Sequence, residues 1–159
     1  MDEPIKMIEA DILQRLHVRY GHVSMNARRY TVAEHVPNTT GFASHIADFV
    51  AFDVWRSKLL FHGHEVKCSR SDWLAELRQP WKSESIKRYM DFWWLVAADK
   101  NVVKDGELPE DWGLLVVSGS GLRAVKVAPR LNPEPMPRLF TASFSRATQR
   151  TAMRRASRG

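Results

Sequence analysis

The order of elements in this chain predicts an α/β fold: one mixed sheet with helices packed on its faces. Three observations carry that reading. Two strand-like segments, 46–55 and 59–68, are joined by a short polar turn at Arg56-Ser57-Lys58. Two helix-like segments follow them. Phe92-Trp93-Trp94-Leu95-Val96-Ala97 then packs enough large apolar groups together to be a central strand buried on both faces. Helix, strands, helices, strand, hairpin and helix in sequence make a three-layer arrangement around one sheet.

Residues 5–20 read as the first helix, with Ile5, Ile8, Ile12, Leu13 and Leu16 on one side. Stepping about 100° per residue puts Glu9 near the middle of that apolar stripe and Asp11 toward its edge. A carboxylate centred on a core-facing stripe is costly unless something pairs with it. Residues 21–45, with Gly21, Asn26 and Pro37-Asn38-Thr39-Thr40-Gly41, read as loop, holding at most a short strand around Arg29–Val32. After the strand pair, Ser69-Arg70-Ser71-Asp72 resembles a helix start, Ser69 capping and Asp72 in the acidic first turn. That helix is expected to stop at Pro80, and another to run over Glu84–Met90. Asp105-Gly106 marks a turn. Trp112–Val117 and Leu122–Ala128 read as a hairpin about Gly119-Ser120-Gly121. Pro129, Pro133, Pro135 and Pro137 form a stiff connector. Leu139–Arg158 reads as a basic helix with a short stripe of Leu139, Phe140, Phe144 and Ala147. The expected organisation is one unit over 1–128 and a connector with a C-terminal basic helix over 129–159.

At 159 residues the chain is long enough for a real core. It carries 24 Lys+Arg against 18 Asp+Glu, a formal charge of +6, which suits a polyanionic partner. Six arginines after Glu134, namely Arg138, Arg146, Arg150, Arg154, Arg155 and Arg158, meet no acid. Cys68 is the single cysteine, which excludes an intrachain disulfide and a cysteine zinc cluster. With no signal-peptide pattern and no long apolar run, a cytoplasmic protein without a membrane partner is the expectation.

Chemistry concentrates in Phe61-His62-Gly63-His64-Glu65-Val66-Lys67, together with Asp48 on the preceding strand. Glu65 and Lys67 are two apart, so both leave the same face of their strand. An acid on one strand, then an acid and a lysine on the next, can hold a divalent metal beside a basic side chain. Magnesium prefers oxygen ligands and keeps several waters, so Asp48 and Glu65 suffice as carboxylates, with the Val66 carbonyl as a third oxygen. Lys67, roughly 6–7 Å along the strand from Glu65, is placed to reach an attacking water. Glu9 is expected to complete the site from the first helix, with Asp11 as the alternative acid. A solvated ion pair on an exposed strand yields the same letters as Glu-x-Lys and contributes little. The acid on the previous strand, the acid on the helix stripe and the basic charge favour the site.

The runs Ile46–Ala51, His62–Leu74 and Arg88–Ala97 are similar to the PD-(D/E)XK nuclease superfamily, and within it to the MmcB-like DNA-repair group and its phage relatives. The likeness spans roughly residues 5–128 in element order and is most specific from Gly63 to Leu74. It implies a restriction-endonuclease-like core, Mg2+ or Mn2+ as cofactor, DNA as partner, and hydrolysis of DNA phosphodiester bonds in repair, recombination or phage DNA processing. Asp48, Glu65 and Lys67 take the acid, acid and lysine positions, and Glu9 the first-helix acid. The superfamily includes members that have lost activity. A DNA-binding module with a vestigial site therefore remains an alternative, as does a protein-interaction scaffold.

Arg70, Lys82, Lys87 and Arg88 follow the motif and are candidates to hold phosphates, against the plain alternative of a solvated helix face. Trp81, in a loop beside Lys82, is a candidate to stack on a base. Other tryptophans read as core. His62 and His64 point away from Glu65 and read as packing or surface residues, Asp53 as solvated or salt-bridged, and Cys68 as core. The basic C-terminal helix is open to three readings: a nucleic-acid-binding arm, a contact for a protein partner or second copy, or a frayed tail.

Overall fold

The computed structural model describes residues 5–159; the first four residues of the expected 1–128 unit lie outside them. The elements are α1 (Glu9–Arg19), β1 (Val23–Ser24), β2 (Ala27–Arg28), β3 (Tyr30–Pro37), β4 (Ile46–Asp53), β5 (Leu60–Lys67), α2 (Arg70–Leu77), α3 (Pro80–Lys87), β6 (Phe92–Ala97), β7 (Gly113–Ser118), β8 (Gly121–Lys126) and α4 (Arg138–Ser157). A six-stranded sheet runs in the order β3-β4-β5-β6-β7-β8. Its centre, β5 to β7, is parallel, and the outer pairs are antiparallel. This is the mixed sheet flanked by helices that the sequence predicts.

The two faces of the sheet are covered by different helices. Ile12, Leu13 and Leu16 bury one side of α1, and Tyr20 just beyond it packs on Phe49 and His64. The other face receives α2 through Trp73, whose ring meets Trp112, which in turn meets Trp93. Gly63 is needed here because a Cβ would lie 2.3 Å from the Trp93 ring. Phe49↔His64 and Val50↔Gly63 are cross-strand neighbours. Continuing that register puts Asp48, Glu65 and Lys67 on the Gly63 face, toward α2.

Three elements depart from the sequence reading. The segment read mostly as loop contains β3, eight residues long. Its polar side chains and Pro37 hide it, since an edge strand needs only one partner. Pro80 does not simply end a helix; it opens α3 at the first helical turn, where a missing N–H costs nothing. Finally, α4 is a packed element. Phe140, Ser143, Phe144, Ala147 and Thr151 are buried along it, while Leu139 faces outward. The hydroxyl of Thr151 accepts the Glu34 N–H at 2.9 Å, and Ser143 donates to the Pro37 carbonyl at 2.6 Å. Thus α4 closes the free edge of β3, a standard way to stop edge-to-edge pairing. The frayed-tail reading is thereby corrected: α4 shares the core of residues 5–128. Among the described residues, no helix is long and apolar enough to cross a membrane.

Candidate metal centre

The site forms where β4 and β5 separate. Their paired register runs from Asp53↔Leu60 to Phe49↔His64. Beyond it, the Val66 N–H donates to Oδ2 of Asp48 at 2.6 Å. In this antiparallel arrangement a residue's N–H and carbonyl leave the same side of the strand. The Val66 carbonyl therefore also faces the gap toward β4. The expected carbonyl ligand has the right direction.

Asp48, Glu65 and Lys67 are brought together, and Glu9 reaches them from the start of α1. The Asp48 carboxyl lies within 4.8 Å of a Glu9 carboxylate oxygen and close enough to Glu65 for the two charges to act on one another. Burial first, and then the neighbouring Glu65 charge, push the Asp48 carboxyl up to about 8. Glu65, only 2% exposed, is likewise raised to about 8 by burial and then by Glu76. Two acids this close disfavour joint ionisation. Burial alone would lower Lys67, but Glu76, Glu65 and Asp48 outweigh it and hold the amine above its ordinary value.

Glu9 is less enclosed than its stripe position suggests, with 46% of its side chain exposed. Its compensation is an ion pair with His35 at 3.1 Å. That hydrogen bond, the largest effect on each partner, lowers Glu9 and raises His35. Asp11, half-buried, instead accepts the Ile8 N–H at 3.1 Å and stabilises the helix start. His35 has φ 53°, the left-handed region that costs a side-chain-bearing residue of order 1 kcal/mol or more. Its carbonyl accepts from Arg150 of α4 at 3.0 Å.

Three participants escape the sequence reading: His35, His45 and Glu76. His35 and His45 lie in the stretch read as loop and have no diagnostic spacing. Glu76 had a usable signal. Ser69 caps α2 by accepting the Asp72 N–H at 3.2 Å, Trp73 faces the core, and Glu76 is three residues on, toward the same side. Glu76 Oε2 pairs with Lys67 at 3.2 Å, and His45 Nε2 lies 2.6 Å from Glu65 Oε1. Glu9, His35 and Asp48 form one group of donors spaced within 4.8 Å; His45, Glu65 and Glu76 form another.

The expected phosphate contacts divide. Lys82 lines an open cavity of about 230 Å³ with Val66, Lys67 and Glu76, and its neighbour Trp81 is 65% exposed. Arg70 is committed elsewhere, to Glu107 at 2.5 Å and the Val102 carbonyl. Lys87 pairs with Asp111 and Glu84. Arg88 donates to the Glu84 carbonyl of its own helix, and its carbonyl accepts from Glu134 in the connector. On the opposite face, His64 is buried between the Tyr20 hydroxyl at 2.8 Å and the Phe49 carbonyl at 3.1 Å. His62 stacks on Phe92, and Asp53 pairs with Arg29 at 2.7 Å. These are the packing and salt-bridge roles the alternation predicts. Cys68 is partly buried against the core.

No family model matches the chain, and no curated protein matches it. A protein of unknown function from Silicibacter pomeroyi has a similar fold, with a TM-score of 0.62 at 18% identity. The alignment covers 98% of this chain and 91% of that one. The likeness is one of fold.

Proposed function

We propose that this chain is a divalent-metal-dependent nuclease that hydrolyses DNA phosphodiester bonds. The observation that supports it best is the meeting of Asp48 and Glu65 on one sheet face, with Lys67 beside them. The donor set suits magnesium or manganese: two carboxylates, the Val66 carbonyl directed into the gap, and Glu9 behind Asp48. Burial and a neighbouring carboxylate hold both acids near 8, which is the electrostatic condition a cation relieves. A cation held there would offset phosphate charge and acidify a bound water.

The remaining roles belong to this chain's side chains. Lys67 keeps its proton and offers a fixed positive charge toward the reacting phosphate. Lys82 flanks it and is placed to hold a neighbouring phosphate. Trp81 offers an exposed ring on which an unpaired base can stack. Arg70 and Lys87 are left out of the phosphate contacts because their charged partners lie within the protein, whereas Arg88 is exposed with only its Nε engaged and stays a candidate. Repair, recombination or phage DNA processing, in the cytoplasm of a bacterium or infected cell, is the setting we infer from the motif.

The second reading is a DNA-binding module with a vestigial site, favoured by the Lys67–Glu76 ion pair, which occupies the lysine. Labelled single- and double-stranded DNA, incubated with Mg2+, Mn2+ or EDTA, separates the two. Metal-dependent cleavage that disappears in Lys67→Ala supports the nuclease. Salt-sensitive binding without cleavage supports the module.

A further inference from the structure

The group formed by His45, Glu65 and Glu76 lies beside the proposed centre and shares Glu65 with it. It contains an imidazole, and its donor atoms all lie within 4.8 Å of one another. His45 Nε2 and Glu65 Oε1 are 2.6 Å apart, a hydrogen bond that one proton can bridge.

Glu76 supplies the independent observation. Its side chain is 10% exposed. Oε2 contacts Lys67, but Oε1 is buried and has no hydrogen-bond partner. A buried carboxylate oxygen without a partner is costly, more so when charged. Ser69 and Trp73 fix the helix that presents it, and the Lys67 contact fixes its rotation. The carboxylate that carries this oxygen belongs to the group in which His45 and Glu65 converge.

We propose that His45, Glu65 and Glu76 form a second divalent-cation site, sharing Glu65 with the Asp48 centre, and that its imidazole selects a transition metal such as Mn2+ or Zn2+ over Mg2+. The selectivity follows from ligand type, since magnesium favours oxygen donors and imidazole suits transition metals. The two carboxylates supply the charge to hold a dication despite the nearby Lys67. The proposal goes beyond nuclease action, because a cation can occupy this site whether or not the Asp48 centre cuts DNA.

Mn2+ binding to the full chain, followed by electron paramagnetic resonance with and without 10 mM Mg2+ (a roughly hundredfold excess over Mn2+), tests it. We expect one Mn2+ per chain to survive magnesium competition and to show nitrogen modulation from an imidazole. Asp48→Asn should keep that ion. His45→Gln should lose the nitrogen signal and weaken binding at least about tenfold. Glu76→Gln should weaken it comparably, and melting curves in EDTA verify that each variant is folded. If no Mn2+ survives magnesium, or if affinity and nitrogen modulation persist in His45→Gln, the second site does not exist. Cleavage is measured separately, so loss of the nuclease reading leaves this result intact, and the reverse also holds.

Discussion

The two faces of β4 and β5 carry polar groups in the same alternating pattern but resolve them differently. On the α1 face, His64 sits between a hydroxyl and a carbonyl, and Asp53 is bound by a guanidinium. Both of these polar groups have a partner of complementary kind. On the α2 face, Asp48, Glu65 and Glu76 confront one another across a single lysine, and one Glu76 oxygen has no partner. Buried polarity alone therefore does not mark a functional site; most of it is satisfied structure. Like charges gathered without full compensation are the informative case, because folding alone gains nothing from them.

The largest expected difference between the faces is in chemistry. Asp48→Asn and Lys67→Ala should each reduce metal-dependent cleavage by about 10³-fold or more while leaving DNA affinity nearly unchanged. On the other face, His64→Phe should leave cleavage per folded molecule unaltered. It should cost about 2–3 kcal/mol of stability, because the Tyr20 hydroxyl and Phe49 carbonyl lose their partner. Denaturant unfolding checks the second, and single-turnover assays the first. A His64 variant that folds normally and fails to cut would erase the distinction.

The faces should also titrate in opposite senses in EDTA. Asp48 and Glu65 have folded values raised to about 8, so the native state holds protons that the unfolded chain releases near its ordinary carboxylate range. Stability from this face is full at low pH and is lost as pH rises toward and through 8. His62 is pushed down to about 4 by burial. The unfolded chain then takes up its proton first, and stability is lost as pH falls from about 6.5 to 4. Melting curves across pH should show Asp48→Asn removing part of the alkaline loss and His62→Phe part of the acid loss. Added Mg2+ should stabilise the wild type most above pH 8.

What the sequence disclosed follows the physics of each element. The strands β4 and β6 are dense in apolar residues, and β5 carries the alternation of Glu65 and Lys67 about Val66. Asp48, Glu65 and Lys67 could therefore be assigned to one face before any coordinates. The edge strand β3 was hidden because Thr31, Glu34 and His35 interrupt its apolar residues, Pro37 ends it, and its outer side is covered by α4 through Ser143 and Thr151. The His35 and His45 contributions depend on that strand and the turn after it, so they were illegible for the same reason. The role of α4 was hidden by its arginines. Arg154 pairs with Glu34 at 3.5 Å and Arg155 meets Gln14 at 3.1 Å, so part of the basic run serves the fold.

That placement changes how the basic helix is tested. Deleting the chain after Arg138 would remove Phe140, Phe144 and Ala147 from the core and unfold the protein. Serine at the exposed Arg138, Arg146 and Arg158 leaves packing intact. Because α4 packs along β3 and lines no part of the Lys82 cavity, the expected effect is the smallest of the set, less than about threefold in DNA affinity. The salt slope should fall by less than one counterion per substitution. A larger uniform loss would identify α4 as a second DNA-binding surface.

The most direct measurement is the anomalous diffraction of a crystal of the protein soaked in Mn2+. The account predicts a peak between the carboxylates of Asp48 and Glu65, within ligand distance of the Val66 carbonyl, that vanishes in Asp48→Asn. A fully occupied Mn2+ elsewhere, with Asp48 and Glu65 bare and still facing one another, would contradict it.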